Sequence, residues 1–193
     1  MPVSVRVATR ADEAVVVDTI VLAFSADPVA RWCWPDPHRY LAAMPTFVRA
    51  FAGQAFDSGS AFQTADAAGG ALWLRPGMPP DEASMGEVLE GTMAAPARDA
   101  LLAAIGRTAA YHPKGPHWFL PLVGVDPARQ GQGHGTALMA HALAECDREH
   151  LPAYLESTNP RNITLYERHG FRALGRVPLG GSAAFVPMLR QPR

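Results

Sequence analysis

The residues with the clearest chemical potential are three alternating glycines, Gly131, Gly133 and Gly135, which lie between an apolar run and an amphipathic stretch. The segment 120–145 therefore predicts a strand, a glycine-rich loop and a helix, in that order. Because the glycines carry no side chains, a ligand can approach the main chain of the loop, and the first helical turn presents unpaired N–H groups to it. Such a terminus favours an anion, most often a phosphate.

Two common phosphate-binding loops fit this segment less well. A loop of the GxxxxGK[ST] type needs a lysine that reaches the terminal phosphates, but the only lysine of the chain, Lys114, precedes the loop. A dinucleotide-binding loop needs GxGxxG, and the third glycine counted from Gly131 would stand where the chain has Thr136. Glu156 still lies at an acceptable distance to bind a ribose, so a nucleotide-binding oxidoreductase fragment stays a weaker alternative.

A third type of loop fits without adjustment. The acetyl-CoA pyrophosphate loop of the GNAT superfamily of N-acetyltransferases, [QR]xxGx[GA], resembles six consecutive residues here: Gln130, Gly131, Gln132, Gly133, His134 and Gly135. Downstream, the run 159–171 resembles the second signature of that family, NxxAxxLYxxxGF, with Asn162 in place of the usual alanine. In general appearance the chain is most similar to small-molecule acetyltransferases of the puromycin N-acetyltransferase kind.

The resemblance implies a transferase that moves an acetyl group from acetyl-CoA directly to a primary amine of a small molecule, in a ternary complex. It implies an α/β (α+β) fold with a mixed, mostly antiparallel sheet, helices on both faces, and a splayed central strand pair that holds acetyl-CoA. A non-catalytic CoA-binding sensor or regulatory module is the alternative. The residues expected to contact acetyl-CoA are Val123, Gly124, Val125, Gln130, Gly131, Gln132, Gly133, His134, Gly135, Thr136, Asn159, Asn162 and Tyr166.

Amide formation from a thioester needs a neutral amine, a stabilised oxyanion and a proton for the departing thiolate. Tyr166 is predicted to supply that proton, because a phenol can donate to sulfur and the matching tyrosine of the family is the usual general acid. Glu156, near the end of one predicted strand, and His117, at the start of another, are alternative bases. Trp32 and Trp34 follow the first predicted helix, a region that covers the acceptor pocket in the family, so by the resemblance they are expected to line that pocket; packing in a small satellite core is the alternative. The seven histidines show no metal-ligand spacing, so no metal site is predicted.

Alternating strands and helices must position these residues. Strands are predicted at 3–8, 60–66, 70–75, 117–125, 153–157, 171–176 and 183–189. Helices are predicted from about residue 9 onward, at 38–56, at 135–150 and at 160–169. The segment 83–111 should form one or two helices, with a break near residue 95, and the segment 26–37 should be irregular. Pro121 cannot donate to a sheet ladder, so the long strand should be interrupted or bulged there. By the resemblance, the freed main chain of Val123 and Val125 would pair with the pantetheine arm.

Length and composition narrow the choice further. The 193 residues are expected to form one domain, 1–193, with the acetyl-CoA-binding half at about 116–176. A formal net charge of -1 argues against a nucleic-acid or membrane partner, and a monomer or homodimer is expected. The start of the chain lacks the pattern of a secretory leader, so a cytoplasmic location is expected. Cys33 and Cys146 are far apart, which indicates no disulfide, and Cys146 is predicted to pack in the core.

Overall fold

The computed structural model describes residues 3–193, which form an eight-stranded sheet with helices against both faces. The strands are β1 (Val5–Val7), β2 (Ala61–Thr64), β3 (Gly69–Leu74), β4 (Trp118–Val125), β5 (Ala153–Ser157), β6 (Arg172–Ala173), β7 (Val177–Gly180) and β8 (Ala183–Arg190). The helices are α1 (Glu13–Phe24), α2 (Pro28–Cys33), α3 (Pro37–Ala52), α4 (Glu82–Thr92), α5 (Ala95–Thr108), α6 (His134–Arg148) and α7 (Ile163–Arg168). The sheet order is β1-β2-β3-β4-β5-β8-β6, with β7 paired to β8.

The central strands β4 and β5 are the parallel pair of this otherwise antiparallel sheet. They pair over three residues only, from Trp118 opposite Ala153 to Leu120 opposite Leu155. Beyond Leu120 the two strands continue without pairing, so an opening forms between their carboxyl ends. The mostly antiparallel α/β sheet and the splayed central pair implied by the resemblance are therefore confirmed.

A bulge in β4 lies where Pro121 predicts it. Against β3, Leu122 pairs with Leu72 but Phe119 pairs with Leu74, so β4 carries one residue more than its partner over this stretch. An extra residue reverses the alternation of side chains between the two faces of a strand. Trp118, before the bulge, faces the core that contains α6. Val123, after the bulge, faces the same core although it lies an odd number of residues further along the strand.

The two faces of the sheet carry separate cores. Helices α6 and α7 pack on one face, here called the α6 face, and α1 to α5 pack on the other, the α1 face. Gly124 lies on the α1 face, where a Cβ would stand 2.8 Å from the Cβ of Ala23. The close approach of α1 to β4 thus requires glycine at this position. Cys33 and Cys146 are free and buried, the latter in the core as predicted, and burial raises the pKa of each thiol to about 12.

Some predicted element boundaries were wrong. The segment 26–37 is not wholly irregular, because the carboxylate of Asp27 accepts hydrogen bonds from the N–H groups of Val29 and Ala30 and starts α2. The helix predicted at 38–56 ends at Ala52 and tightens into a 3₁₀ turn over Gly53–Phe56. The strand predicted at 171–176 is only two residues long, and β7 was not predicted, because Pro178 interrupts its apolar pattern.

The segment 83–111 does form two helices, α4 and α5, with the break directly before Ala95 as predicted. These helices connect β3 to β4 and pack on α3 and β7, so they cover part of the α1 face. Within residues 3–193, no helix is both long enough and apolar enough to cross a membrane.

Candidate active site

The glycine loop lies between the carboxyl end of β4 and the first turn of α6. Gly131 and Gly133 have φ angles of 76° and 92°, a region that side-chain-bearing residues rarely adopt. A Cβ on either glycine would meet no atom within 4 Å, so the space beside the loop is open. Gly133 is the N-cap of α6, and no side chain of residues 3–193 caps this end of the helix. The first-turn N–H groups are therefore free to bind an anion such as a pyrophosphate.

Asp66, in the turn between β2 and β3, attaches the loop to the sheet. Its carboxylate accepts hydrogen bonds from the guanidinium of Arg129 at 2.9 Å, from His134 Nε2 at 3.0 Å and from the Thr64 hydroxyl at 2.7 Å. The bonds from His134 and Thr64 hold the pKa of Asp66 well below its usual range, so the carboxylate is charged. His134 is buried and, within the described part of the chain, its Nδ1 has no hydrogen-bond partner. Asp66 could not be predicted from the sequence, because Arg129 and His134 lie more than 60 residues away from it.

Substituting Asp66 tests whether this contact positions the loop. Asp66→Asn should raise the Kd for acetyl-CoA about fivefold, equivalent to about 1 kcal/mol, the upper range for a partly exposed ion pair. The amide cannot hold both Arg129 and His134 by charge-assisted bonds. Isothermal titration calorimetry would measure the change. Asp57→Asn is the control, since this exposed carboxylate pairs with Arg10 at the other end of β2. A lower Kd for Asp66→Asn would mean that charge repulsion of the pyrophosphate outweighs positioning.

The residues expected to contact acetyl-CoA border the loop and the opening. Val123 and Val125 lie opposite residues of β3 on one side of β4. On its other side, the main chain of these two residues borders the opening between β4 and β5. Their side chains pack against the core of the α6 face. Asn159 caps a short 3₁₀ turn by accepting from the N–H of Arg161 at 3.1 Å. The exposed members of the set are Gln130, Gly131, Gln132, Gly133, Thr136 and Asn162.

Tyr166 lies in α7 and is almost completely buried. Its ring meets that of Phe171 edge to face, with centroids 6.1 Å apart. Burial and, next, the negative charge of Asp27 raise the pKa of the phenol, while a hydrogen bond with Asn162 lowers it. The phenol therefore stays protonated and is able to donate a hydrogen bond.

Asp27 is a second residue that the sequence analysis missed. This buried carboxylate caps α2 and also accepts a hydrogen bond of 2.7 Å from the hydroxyl of Thr158, directly after β5. Burial raises its pKa. Its position next to Tyr166 connects the first part of the chain to the carboxyl end of β5. The contact with Thr158 spans 131 residues, so no local pattern predicts it.

Glu156 and His117, the two alternative bases, belong to one hydrogen-bonded cluster on the α1 face. Glu156 Oε1 accepts from the hydroxyl of Tyr154 at 3.0 Å and lies 3.5 Å from His112 Nε2. His112 Nδ1 lies 3.3 Å from His117 Nε2, and His117 Nδ1 donates to the carbonyl of Gly115 at 2.8 Å. His112, which was not predicted, thus connects the two. The signal for it is slight: two histidines flank the short turn Pro113–Pro116.

The hydrogen-bond partners determine where the protons of this cluster lie. A carbonyl only accepts, so His117 Nδ1 carries a proton and the Nε2 of the neutral ring is an acceptor. When both rings are neutral, His112 Nδ1 donates to His117 Nε2, and the lone pair of His112 Nε2 lies 3.5 Å from the carboxylate of Glu156. An incoming proton at His112 Nε2 would complete a charge-assisted hydrogen bond to Glu156. In residues 3–193, no group of three or more His, Cys, Asp or Glu side chains is arranged to hold a metal ion.

Within residues 3–193, neither of the two tryptophans predicted for the acceptor pocket hydrogen-bonds to this cluster. Trp34 is buried, and its indole N–H donates to the hydroxyl of Thr92 at 3.0 Å. Trp32 lies in α2, is half-buried and packs against the end of β7. A Cβ on Gly180, the last residue of β7, would stand 2.8 Å from the indole nitrogen of Trp32. Trp32 therefore lines the side of α2 that faces the β7–β8 hairpin, and contact of either indole with an acceptor stays a prediction.

Comparison with known proteins connects this site to a family. The model of the Acetyltransferase (GNAT) family matches residues 60–171, from the start of β2 through α7. An uncharacterized N-acetyltransferase of Schizosaccharomyces pombe is 37% identical over 78 residues, which cover 39% of this chain and 32% of that protein. The chain thus matches about a third of the length of that relative.

Solved structures resemble the whole chain. One from Corynebacterium glutamicum, described as histone acetyltransferase HPA2 and related acetyltransferase, is 30% identical, covers 100% of this chain and 98% of that chain, and has a TM-score of 0.71. Arylalkylamine N-acetyltransferase 2 from Aedes aegypti has a TM-score of 0.69 over 99% of each chain. At 12% identity, the second likeness concerns the fold alone.

Proposed function

This chain belongs to the acetyltransferase (GNAT) family of N-acetyltransferases, and on that premise we propose that it transfers the acetyl group of acetyl-CoA directly to a primary amine of a small molecule. The observation that supports this most strongly is the uncapped first turn of α6 behind two glycines with positive φ, at the mouth of the β4–β5 opening. The loop would bind the pyrophosphate, and Val123 and Val125 would hydrogen-bond the pantetheine arm with their free main-chain edges.

A small-molecule acceptor, rather than a histone or peptide, is favoured by the cover on the α1 face. Helices α4 and α5 pack over α3 and β7, and the proline-rich segment 76–80 follows β3 directly. An extended peptide needs an open groove or a free sheet edge. The cavity beside these helices, of about 690 Å³, has the size typical of a small-molecule site.

The first chemical step is loss of a proton from the ammonium group of the acceptor. His112 Nε2 would accept it, Glu156 would stabilise the resulting imidazolium, and His117 would fix the ring through His112 Nδ1. The neutral amine then forms its bond to the acetyl carbon, and the carbon–sulfur bond breaks. Tyr166 would donate its phenolic proton, or a hydrogen bond, to the departing thiolate, and the second proton that the nitrogen loses as the amide forms would restore the phenol. No covalent bond to the protein is required.

Release of free CoA thiol in the presence of a panel of amines tests the function. Acetyl-CoA should also stabilise the fold by about 2.7 kcal/mol at a hundredfold excess over Kd, because it binds only the native state. Gly133→Val should remove most of that stabilisation, since it places a branched side chain at a φ of 92° in the loop. Gly59→Val is the matched control: Gly59 has a φ of 68°, equally open surroundings, and a position before β2, far from the loop.

The possible outcomes separate the alternatives. Stabilisation without thiol release for any amine would support a CoA-binding sensor. Stabilisation by NAD in preference to acetyl-CoA would support a nucleotide-binding oxidoreductase fragment. Equal loss of stabilisation in Gly133→Val and Gly59→Val would show that backbone strain, rather than the loop, causes the effect.

A further inference from the structure

A cavity of about 690 Å³ lies on the α1 face, at the amino end of β4. One wall is the segment 75–80 after β3, and the opposite wall carries His112, His117 and Phe119. This volume is within the roughly 300–1,000 Å³ typical of small-molecule sites. Because three prolines form part of the first wall, little conformational entropy is lost when a ligand orders that wall.

The cavity is continuous with the catalytic cluster through His112. The side chain of His112 lines the cavity, and its Nε2 lies 3.5 Å from Glu156 Oε1. Glu156 directly follows Leu155, the last residue of β5 that pairs with β4. The floor is aromatic: the ring of Phe119 lies 5.3 Å from that of His112 and 5.8 Å from that of Tyr154. A molecule in the cavity would thus direct one end toward His112 Nε2 and rest its body on aromatic faces.

The charges around the cavity restrict what that body carries. The lining residues include no Asp or Glu, and all of them belong to the described part of the chain. Arg75 is their one permanently charged side chain. Its guanidinium already bonds Glu149 at 3.2 Å and the carbonyl of Ser58 at 3.1 Å, and lies 4.6 Å from the ring centre of Trp118. A second ammonium group on the ligand would meet no anionic side chain among the lining residues.

We infer that this cavity binds the body of the acceptor amine and selects a single primary amine on an apolar or aromatic body over a diamine or polyamine. The inference rests on the proposed function and names its substrate class. Selection arises from a repulsive element, an uncompensated second charge, as well as from apolar contact. The reacting nitrogen reaches His112 at the end of the cavity nearest Glu156.

Amines of equal length that differ in charge provide the test. The wild type should acetylate hexylamine and 2-phenylethylamine with a kcat/KM at least about tenfold above that for 1,6-diaminohexane, a difference of about 1.4 kcal/mol. Met78→Glu adds a carboxylate to the proline wall and should cancel or reverse that preference. Met78→Gln is the matched control, with similar size and polarity but no charge, and should keep the preference.

Failure of the inference differs from failure of the function. Thiol release that favours the diamine in the wild type, or a preference unchanged in Met78→Glu, would overturn the cavity assignment while the acetyltransferase function stands. If no amine releases thiol, binding decides. In the presence of CoA, 2-phenylethylamine should raise the Tm of the wild type but not that of Phe119→Ala, and CoA alone should stabilise both. An equal amine-induced shift in Phe119→Ala would reject the cavity.

Discussion

Tyr166→Phe is expected to lower kcat by about 10²–10⁴, the range typical of losing a general acid, with little change in the Kd for acetyl-CoA. The substitution removes one hydroxyl and keeps the ring, so the edge-to-face contact with Phe171 persists. Burial and the charge of Asp27 keep the phenol protonated well above its ordinary pKa. The activity of the wild type should therefore show no loss between about pH 8 and 10 that derives from this phenol.

Steady-state turnover and calorimetric acetyl-CoA binding, measured on the same preparation, separate catalysis from affinity. Tyr40→Phe is the matched control, because Tyr40 is also a buried tyrosine with a raised pKa, and its hydroxyl donates to the carbonyl of Val21. That variant should lose stability but keep kcat. If Tyr166→Phe turns over at the wild-type rate, the thiolate leaves without help or takes its proton from water, and Tyr166 has only a packing role.

Those parts of the site that depend on neighbouring residues were predictable from the sequence. The glycine loop is encoded by consecutive residues, and the bulge follows from the missing N–H of Pro121. The order of strands and helices follows from local hydrophobic periodicity, except where Pro178 obscures β7. The resemblance to the GNAT family then implied the splayed pair, which the three-residue pairing of β4 with β5 confirms.

The parts that depend on tertiary contacts were not predictable. Asp66 reaches His134 across 68 residues, and Asp27 reaches Thr158 across 131. Each of these aspartates also makes ordinary local hydrogen bonds, Asp66 in a turn and Asp27 at a helix start, so its sequence context indicates only a structural role. The burial of Trp34 and its hydrogen bond to Thr92, 58 residues away, likewise depend on tertiary contacts.

The choice between Glu156 and His117 as the base changes once His112 is known. Sequence alone presents them as competitors, because each carries a group that can accept a proton. In the structure they flank His112 on opposite sides, at its Nε2 and its Nδ1. In the proposed mechanism, His112 accepts the proton, Glu156 stabilises the cation and His117 orients the ring. The three substitutions should consequently differ in magnitude.

His112→Ala is expected to lower kcat/KM by about 10²–10⁴, because it removes the proton acceptor itself. Glu156→Gln should also cost on the order of 10², since a neutral amide cannot stabilise the imidazolium. His117→Ala should cost only about tenfold, because His112 keeps its place but loses the acceptor of its Nδ1 proton. His141→Ala is the control, because the ring of this α6 histidine meets Phe62 edge to face on the other face of the sheet.

Interaction between the variants and the pH profile decide the assignment. Residues that act on the same proton are not additive, so the double variant Glu156→Gln/His112→Ala should be no slower than His112→Ala alone. In the wild type kcat/KM should rise with pH as the base and the acceptor amine lose their protons, and in His112→Ala this rise should move to higher pH, where the amine is neutral without help. Added imidazole should restore part of the lost rate.

If neither His112→Ala nor Glu156→Gln loses more than about tenfold, equivalent to about 1.4 kcal/mol of barrier, the acceptor arrives neutral or yields its proton to water. The cluster then serves only to hold Tyr154 and the histidine segment in place.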